Sequence, residues 1–310
     1  MKRTVFAGTY TSHNSKGIYQ FSFEDGILSD PSLLCEIKNP KYIQYQDGII
    51  TTSCDFDQRS GVALVNEKGE IISSKAYENG TSCYVTRKDD HIYTANYHAG
   101  TYSVLRIVED RLKFENTVVV QDGGGCHQVL LWKDLILVPS LFLDRVVIYD
   151  QEGSRKGSIR FNQGTGPRHG IFSHDNEYLY LVSELSNELF VIKTGTWEIL
   201  HSISILPNGE KHKRDSAAIR LSDDGKYLYI STRTMDIISV VELNDQVPSL
   251  VQVVSCGGKH PRDFILLDGY LLSANRYSNT VVSFKINEDG SIGKVVSSVE
   301  VPEAVSLAYK

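Results

Sequence analysis

Gly166-Pro167-Arg168-His169-Gly170-Ile171-Phe172-Ser173-His174-Asp175-Asn176-Glu177-Tyr178-Leu179-Tyr180-Leu181-Val182-Ser183-Glu184-Leu185-Ser186-Asn187-Glu188-Leu189-Phe190-Val191-Ile192 alternates short β-prone runs with polar turn formers. The spacing predicts strands over 169–173, 178–182 and 188–192. His174-Asp175-Asn176 and Ser186-Asn187 break the runs as hairpin connections do. Two charged residues mark the ends of this meander: Arg168 just before the first strand and Glu184 just past the second.

The rest of the chain repeats this unit. Further units open at Pro40, Ser82, Cys126, Ala217, Pro261 and Pro302, beside the one at Pro167. Second strands end in Ile50-Thr51-Thr52-Ser53, Tyr93-Thr94-Ala95-Asn96, Leu137-Val138-Pro139-Ser140, Tyr229-Ile230-Ser231-Thr232 and Leu272-Ser273-Ala274-Asn275. Third strands follow over 61–65, 102–107, 145–149, 238–243 and 280–286, and weaker fourth strands over stretches such as 70–77 and 250–255. The spacing averages about 44 residues, the length of a four-stranded propeller blade. The seventh unit is cut short, because 301–309 offers only a first strand. Its partners lie at the N-terminus, over 4–8, 17–23 and 33–38. The expectation is an all-β, single-domain, seven-bladed β-propeller over residues 1–310, its last blade closed by N-terminal strands and the C-terminal strand. No stretch sustains helical periodicity.

Composition narrows the class. With 310 residues, 41% hydrophobic and 23% charged, the chain reads as an ordinary globular protein. A net charge of −6 argues against nucleic acid as a partner. Lys211-His212-Lys213-Arg214 is the one basic cluster and reads as a solvated loop. The apolar run after Met1 is too short for a signal peptide, and no stretch approaches a membrane span. Cys35, Cys54, Cys83, Cys126 and Cys256 are scattered without paired spacing, which fits neither a disulfide framework nor a zinc site. A cytoplasmic protein with reduced thiols and no membrane partner is the expectation.

Propeller register then becomes geometry. Residues before each first strand and after each second strand should meet on one face around the central channel. The first set is Lys41, Cys83, His127, Arg168, Ala217, Arg262 and Glu303, and the second is Cys54, Tyr97, Leu141, Glu184, Arg233, Arg276 and Tyr10. His127, Arg168, Glu184, Arg233 and Arg276 should therefore converge, with Arg262 and Asn96 nearby. Gathering so much charge is expensive unless it is paired or used.

The same residues carry a resemblance. Gly8-Thr9-Tyr10-Thr11, Asn96-Tyr97-His98-Ala99-Gly100, Cys126-His127-Gln128-Val129, Gly166-Pro167-Arg168-His169, Ser183-Glu184-Leu185-Ser186-Asn187, Ala217-Ala218-Ile219-Arg220-Leu221-Ser222-Asp223-Asp224-Gly225 and Ala274-Asn275-Arg276 occur in an order similar to that of the lactonase family of seven-bladed propellers. That family includes bacterial 6-phosphogluconolactonases and fungal carboxy-muconate lactonising enzymes. The resemblance implies an active-site set of His127, Arg168, Glu184 and Arg233. Gly123-Gly124-Gly125-Cys126 before His127, and His98-Ala99 after Tyr97, depart from the family pattern beside the pocket.

Lactone hydrolysis needs an activated water, a stabilised oxyanion and an anchor for the substrate's acid or phosphate. Glu184 or His127 could act as general base. Arg168 and Arg233 suit the reacting group, and Arg276 with Arg262 a remote anion, since guanidinium binds oxyanions bidentately and stays charged. Asn96, Tyr97 and His169 complete the expected substrate-binding set. The implied partner is an anionic lactone, and the chemistry requires no metal or cofactor. Plainer readings stand beside each choice: Glu184 as a structural ion pair, His127 as a satisfied strand-start residue, His169 as strand packing, Asn96 and Asn275 as turn residues. A cycloisomerase and a non-catalytic scaffold are the alternative functions.

Overall fold

The computed structural model describes residues 1–207 and 215–310; the Lys211–Arg214 cluster lies outside them. Short alternating runs bounded by turn formers become antiparallel hairpins, and the hairpins group into seven sheets. Blade 4 shows the plan: Pro167–Phe172, Tyr178–Ser183, Glu188–Lys193 and Ile199–Ser204, in that order from the channel outward. Blades 1, 2, 3, 5 and 6 repeat it with innermost strands Ile43–Gln46, Tyr84–Lys88, Leu130–Trp132, Ser216–Leu221 and Pro261–Leu267. The one helical element among the described residues is a 3-10 turn at Leu141–Leu143.

Blade 7 joins the chain ends. Ala304–Tyr309 pairs antiparallel with Arg3–Thr9, which pairs with Gly17–Glu24, which pairs with Ser32–Glu36. A two-residue strand, Ile27–Leu28, adds a small hairpin that the sequence pattern did not announce. Asp25 and Gly26 make its turn at φ 47° and 88°, the left-handed pair that an Asp-Gly turn favours.

The core is distributed around the ring. Seven hydrophobic clusters of described residues occupy the seven blade–blade contacts, for example Leu137, Val146 and Ile148 against Leu179, Leu181 and Ile192 between blades 3 and 4. The closing blade is treated like the others. Phe6 and Ile18 pack on Ile43 and Ile50 of blade 1, while Val5, Phe21 and Leu307 pack on Ile265 and Leu272 of blade 6. Each buried aliphatic or aromatic side chain contributes about 1.5–3 kcal/mol by leaving water, so no blade contact lacks a driving force.

One detail departs from the expected register. Arg168 lies inside the first strand of its blade, at a slip between Pro167 and His169. The same slip spans Arg262 in blade 6 and Ala217-Ala218 in blade 5. In blade 3, Cys126 pairs with Ser140 and Leu130 with Leu137, again one residue extra on the inner strand. A β-bulge re-aims a side chain that the pleat would otherwise point into a neighbouring blade.

The seam itself is tight. A Cβ on Gly8 would press on Ser306 Oγ and come within 2.6 Å of the Pro40 carbonyl and 2.9 Å of Ile43. Gly8→Ala should cost about 1–3 kcal/mol by overpacking, read as a lower urea midpoint with unchanged m value. An unchanged midpoint would mean that the seam is loose.

Candidate active site

At the end of the channel where the bulged residues emerge, the sequence-predicted charges separate into two groups. The first is built by blades 3 to 5. Arg168, 1% exposed, donates from Nε to Glu184 Oε2 at 2.6 Å and from Nη1 to the Ala217 carbonyl at 2.6 Å. Arg233 Nη2 reaches the same Oε2 at 3.0 Å and Asp215 Oδ1 at 3.2 Å, while its Nε donates to the Asp215 carbonyl. A backbone relay sets these side chains: Glu184 N donates to Gly166 O, Asp215 N to Glu184 O, and Arg233 N to Asp215 O, at 2.8, 2.7 and 3.1 Å.

Glu184 is thus clamped through one oxygen only. Its Oε1, Arg168 Nη2 and Arg233 Nη1 have no protein hydrogen bond among the described residues. Burial works to raise the Glu184 pKa, but Arg168, Arg233 and Arg262 outweigh it and hold the carboxyl below its usual range. Burial and then Arg233 bring the Arg168 guanidinium down to about 10, still charged at neutral pH.

His127 and His169 are buried and share a hydrogen bond, Nδ1 to Nε2, at 3.1 Å. Burial and the Arg168 charge push both imidazoles well below the ordinary histidine pKa, so both are neutral. Arg168 Nη1 is 3.3 and 3.4 Å from the two ring nitrogens of His169. His169 sits behind His127, edge-on to Tyr84 at 5.1 Å. Tyr97 packs its ring against His127 from the rim, centroids 5.8 Å apart.

The second group belongs to blades 6, 7 and 1. Arg276 lies 3.9 Å above the Tyr10 ring, with Arg262 at 5.4 Å and Lys41 at 5.5 Å from the same centroid. Arg276 approaches Glu303 at only 3.8 Å.

Deeper in the channel, the Tyr42–Tyr84 ring pair, 4.0 Å apart, and the Arg220–Asp263 ion pair at 2.6 Å underlie the mouth. Tyr42, Tyr84 and Arg220 line two cavities of about 500 and 370 Å³.

Of the predicted set, His127, Arg168, Glu184 and Arg233 come together, with Tyr97 and His169 in contact. Arg262 and Arg276 form the opposing group. Asn96 does not join either. It is 1% exposed, donates to Glu78 Oε2 and the Gly80 carbonyl, and accepts from Ala99 N, which is the turn role. Asp215 was missed because it stands two places before Ala217, the register position of its blade, and so falls in neither set. Lys41 and Tyr10 stood in the register at the mouth without a role.

The structure is thus a seven-bladed propeller with two charged groups at one channel mouth. The sequence profile of the Lactonase, 7-bladed beta-propeller family matches residues 4–309, and the chain belongs to that family. It is 28% identical to the 6-phosphogluconolactonase of Bacillus subtilis (strain 168), over 98% of this chain and 97% of that one. A crystal structure of a protein from Lactobacillus plantarum superposes with TM-score 0.95 at 28% identity, covering 100% of both chains. A putative 6-phosphogluconolactonase from Bacteroides fragilis NCTC 9343 superposes with TM-score 0.86 at 25% identity, over 100% of this chain and 98% of that one. Among the described residues, no helix is long and apolar enough to cross a membrane.

Glu184→Gln should lower the unfolding free energy by about 3–5 kcal/mol near neutral pH, because two buried guanidiniums lose their shared counter-charge. The folded state holds this carboxyl below its free value, so its contribution is full above the ordinary glutamate pKa of about 4.3 and is lost as pH falls through the lower folded value. The gap between wild type and variant in denaturant unfolding should therefore shrink on acidification. A gap that is absent at neutral pH would remove the clamp.

Proposed function

We propose that the protein is a carboxylic-ester hydrolase that opens a sugar lactone, with 6-phosphogluconolactone as the first substrate to test. One observation carries this reading: a carboxylate shared by two guanidiniums, each with a nitrogen that no described residue bonds, beside a neutral histidine. Glu184 Oε1 orients the attacking water and takes its proton. Arg168 Nη2 and Arg233 Nη1 donate to the carbonyl oxygen as it becomes an oxyanion, the electrostatic contribution that is usually the largest. His127 lies at the same pole and, being neutral, takes that proton from Glu184 and gives it to the leaving ring oxygen as the ring C–O bond breaks. Tyr97 walls the pocket at the rim, and Arg262 and Arg276 line its far side.

The name of the Bacillus subtilis relative supports the phosphorylated substrate. Five free cysteines fit a reducing cytoplasmic setting.

The test is lactone hydrolysis by purified protein with spontaneous opening subtracted, using freshly generated 6-phosphogluconolactone and unphosphorylated gluconolactone. Turnover is expected. Arg233→Gln should lower kcat/KM about 10²–10³-fold, as loss of one oxyanion donor does, and His127→Gln about 10²–10⁴-fold, as loss of a proton donor does. Full activity in both folded variants would overturn the residue assignment. No turnover of either lactone by wild type would overturn the reading.

A further inference from the structure

The channel holds a second space that the reacting groups do not line. Its two cavities, of about 500 and 370 Å³, share Tyr42, Tyr84, Thr86 and Arg220 as wall, and together they take residues from all seven blades. Only the central channel is reached by every blade. Within each innermost strand the wall residues follow the mouth residue, as 42–45 follow Lys41 and 170–172 follow Arg168. Arg168, Glu184 and Arg233 line neither cavity.

The wall is apolar except for one group of donors. Among the described residues, Arg220 is the one charged residue that lines either cavity. Its Nη2 donates to Asp263 Oδ1 at 2.6 Å and its Nη1 to the Ile219 carbonyl at 2.8 Å. Three of the five guanidinium N–H groups remain after these two bonds. Asp263 balances the charge from behind: its side chain is 3% exposed and lines neither cavity, whereas that of Arg220 is 24% exposed. The Tyr42 hydroxyl lies against both Arg220 and the Tyr84 hydroxyl. The other polar side chains inside the wall are committed to backbone. Gln44 exchanges hydrogen bonds with Arg87, Thr86 donates to the Val129 carbonyl, and Gln128 pairs with both backbone groups of Gly170. Ile43, Leu131, Ile171, Phe172, Ile265 and Leu307 supply apolar surface around them. An ion pair that only tied blade 5 to blade 6 would need Nη2 alone. It would not need the rest of the guanidinium and two hydroxyls to converge on an apolar cavity of small-molecule size.

We propose that this cavity binds a small apolar monocarboxylate, aromatic or branched aliphatic, with its carboxylate on Arg220, Tyr42 and Tyr84 and its body against the apolar wall. A guanidinium only donates, so the head it takes is an acceptor, and its fork matches the two oxygens of a carboxylate. A sugar or a phosphate ester would leave further hydroxyls and oxygens unpaired against that wall, which is costly. The site is therefore distinct from the mouth in position and in the chemistry it selects.

Benzoate and benzamide are suitable probes, read by calorimetry and by saturation-transfer NMR on the full chain. Benzoate should bind, and benzamide about tenfold more weakly, because it lacks the charge-assisted bond. Arg220→Lys keeps a cation beside Asp263 but loses the fork, and should weaken benzoate about tenfold. Tyr42→Phe removes one hydroxyl and should weaken it about three- to tenfold. Arg233→Gln, at the mouth, should leave benzoate binding as it is in wild type. Denaturant unfolding of each variant beside wild type establishes that it is folded. Benzoate that does not bind wild type, that binds Arg220→Lys and Tyr42→Phe as wild type, or that is lost only in Arg233→Gln would overturn the site. Benzamide binding as tight as benzoate would overturn the carboxylate assignment. None of these readings uses lactone turnover, so they stand apart from the hydrolase reading.

Discussion

A propeller sheet is stable only when both its faces are covered, and in this chain the last pair of faces is covered by a blade that joins the two chain ends. That constraint shapes this molecule. Arg3–Thr9 pairs with Ala304–Tyr309, and the joined blade packs on both neighbours through clusters as apolar as those elsewhere in the ring. Closure removes the exposed edge that an open sheet would present inside the ring. It also carries Tyr10 to the mouth beside Glu303 and brings Lys41 of blade 1 and Arg262 of blade 6 to either side. The seam that completes the fold is therefore also part of the channel mouth.

Across the mouth, burial sets different terms. Arg168 is almost wholly enclosed, and a guanidinium there is tolerable only with a counter-charge and satisfied donors. Glu184 supplies the charge, and the Ala217 carbonyl takes a second donor. Arg233 then shares Glu184 and is itself held by Asp215. Replacing such a cluster with apolar side chains is often neutral or stabilising, so its presence is weak evidence for stability. Its position at a channel mouth, with one carboxylate oxygen and two guanidinium nitrogens that no described residue bonds, is better evidence for use.

Much of this was legible in the sequence because propeller repeats are local. Alternation and turn residues locate the strands within a residue or two, as for 178–182 against Tyr178–Ser183, and a truncated seventh unit implies the seam. Fixed register then assigns one residue per blade to the mouth. What register cannot express is a bulge. Arg168 and Arg262 read as residues before a strand but lie within one, because a single extra residue there leaves no mark in hydrophobic periodicity. Asp215 was hidden for a related reason: its carboxylate matters through Arg233, a contact set by loop geometry. Asn96 shows the opposite failure. Its position in the register was right, but the amide turns inward to Glu78 and Gly80, since a buried asparagine is satisfied by the nearest backbone before any ligand arrives.

The depressed pKa values at the reacting pole bear on what kind of catalysis the site can run. A glutamate held below its usual range and a histidine held well below its own are both weak bases, and a weak base alone is a poor way to activate water at neutral pH. The cations that weaken these bases are the ones that would face the tetrahedral oxyanion. They oppose the protonation of Glu184, yet they lower the energy of the negative state that the attack creates. Because the arginines are fixed by hydrogen bonds before substrate arrives, little reorganisation is needed as charge develops. In the proposed reaction the arginine field thus carries most of the barrier lowering, and Glu184 serves chiefly to keep that field in place and to aim the water.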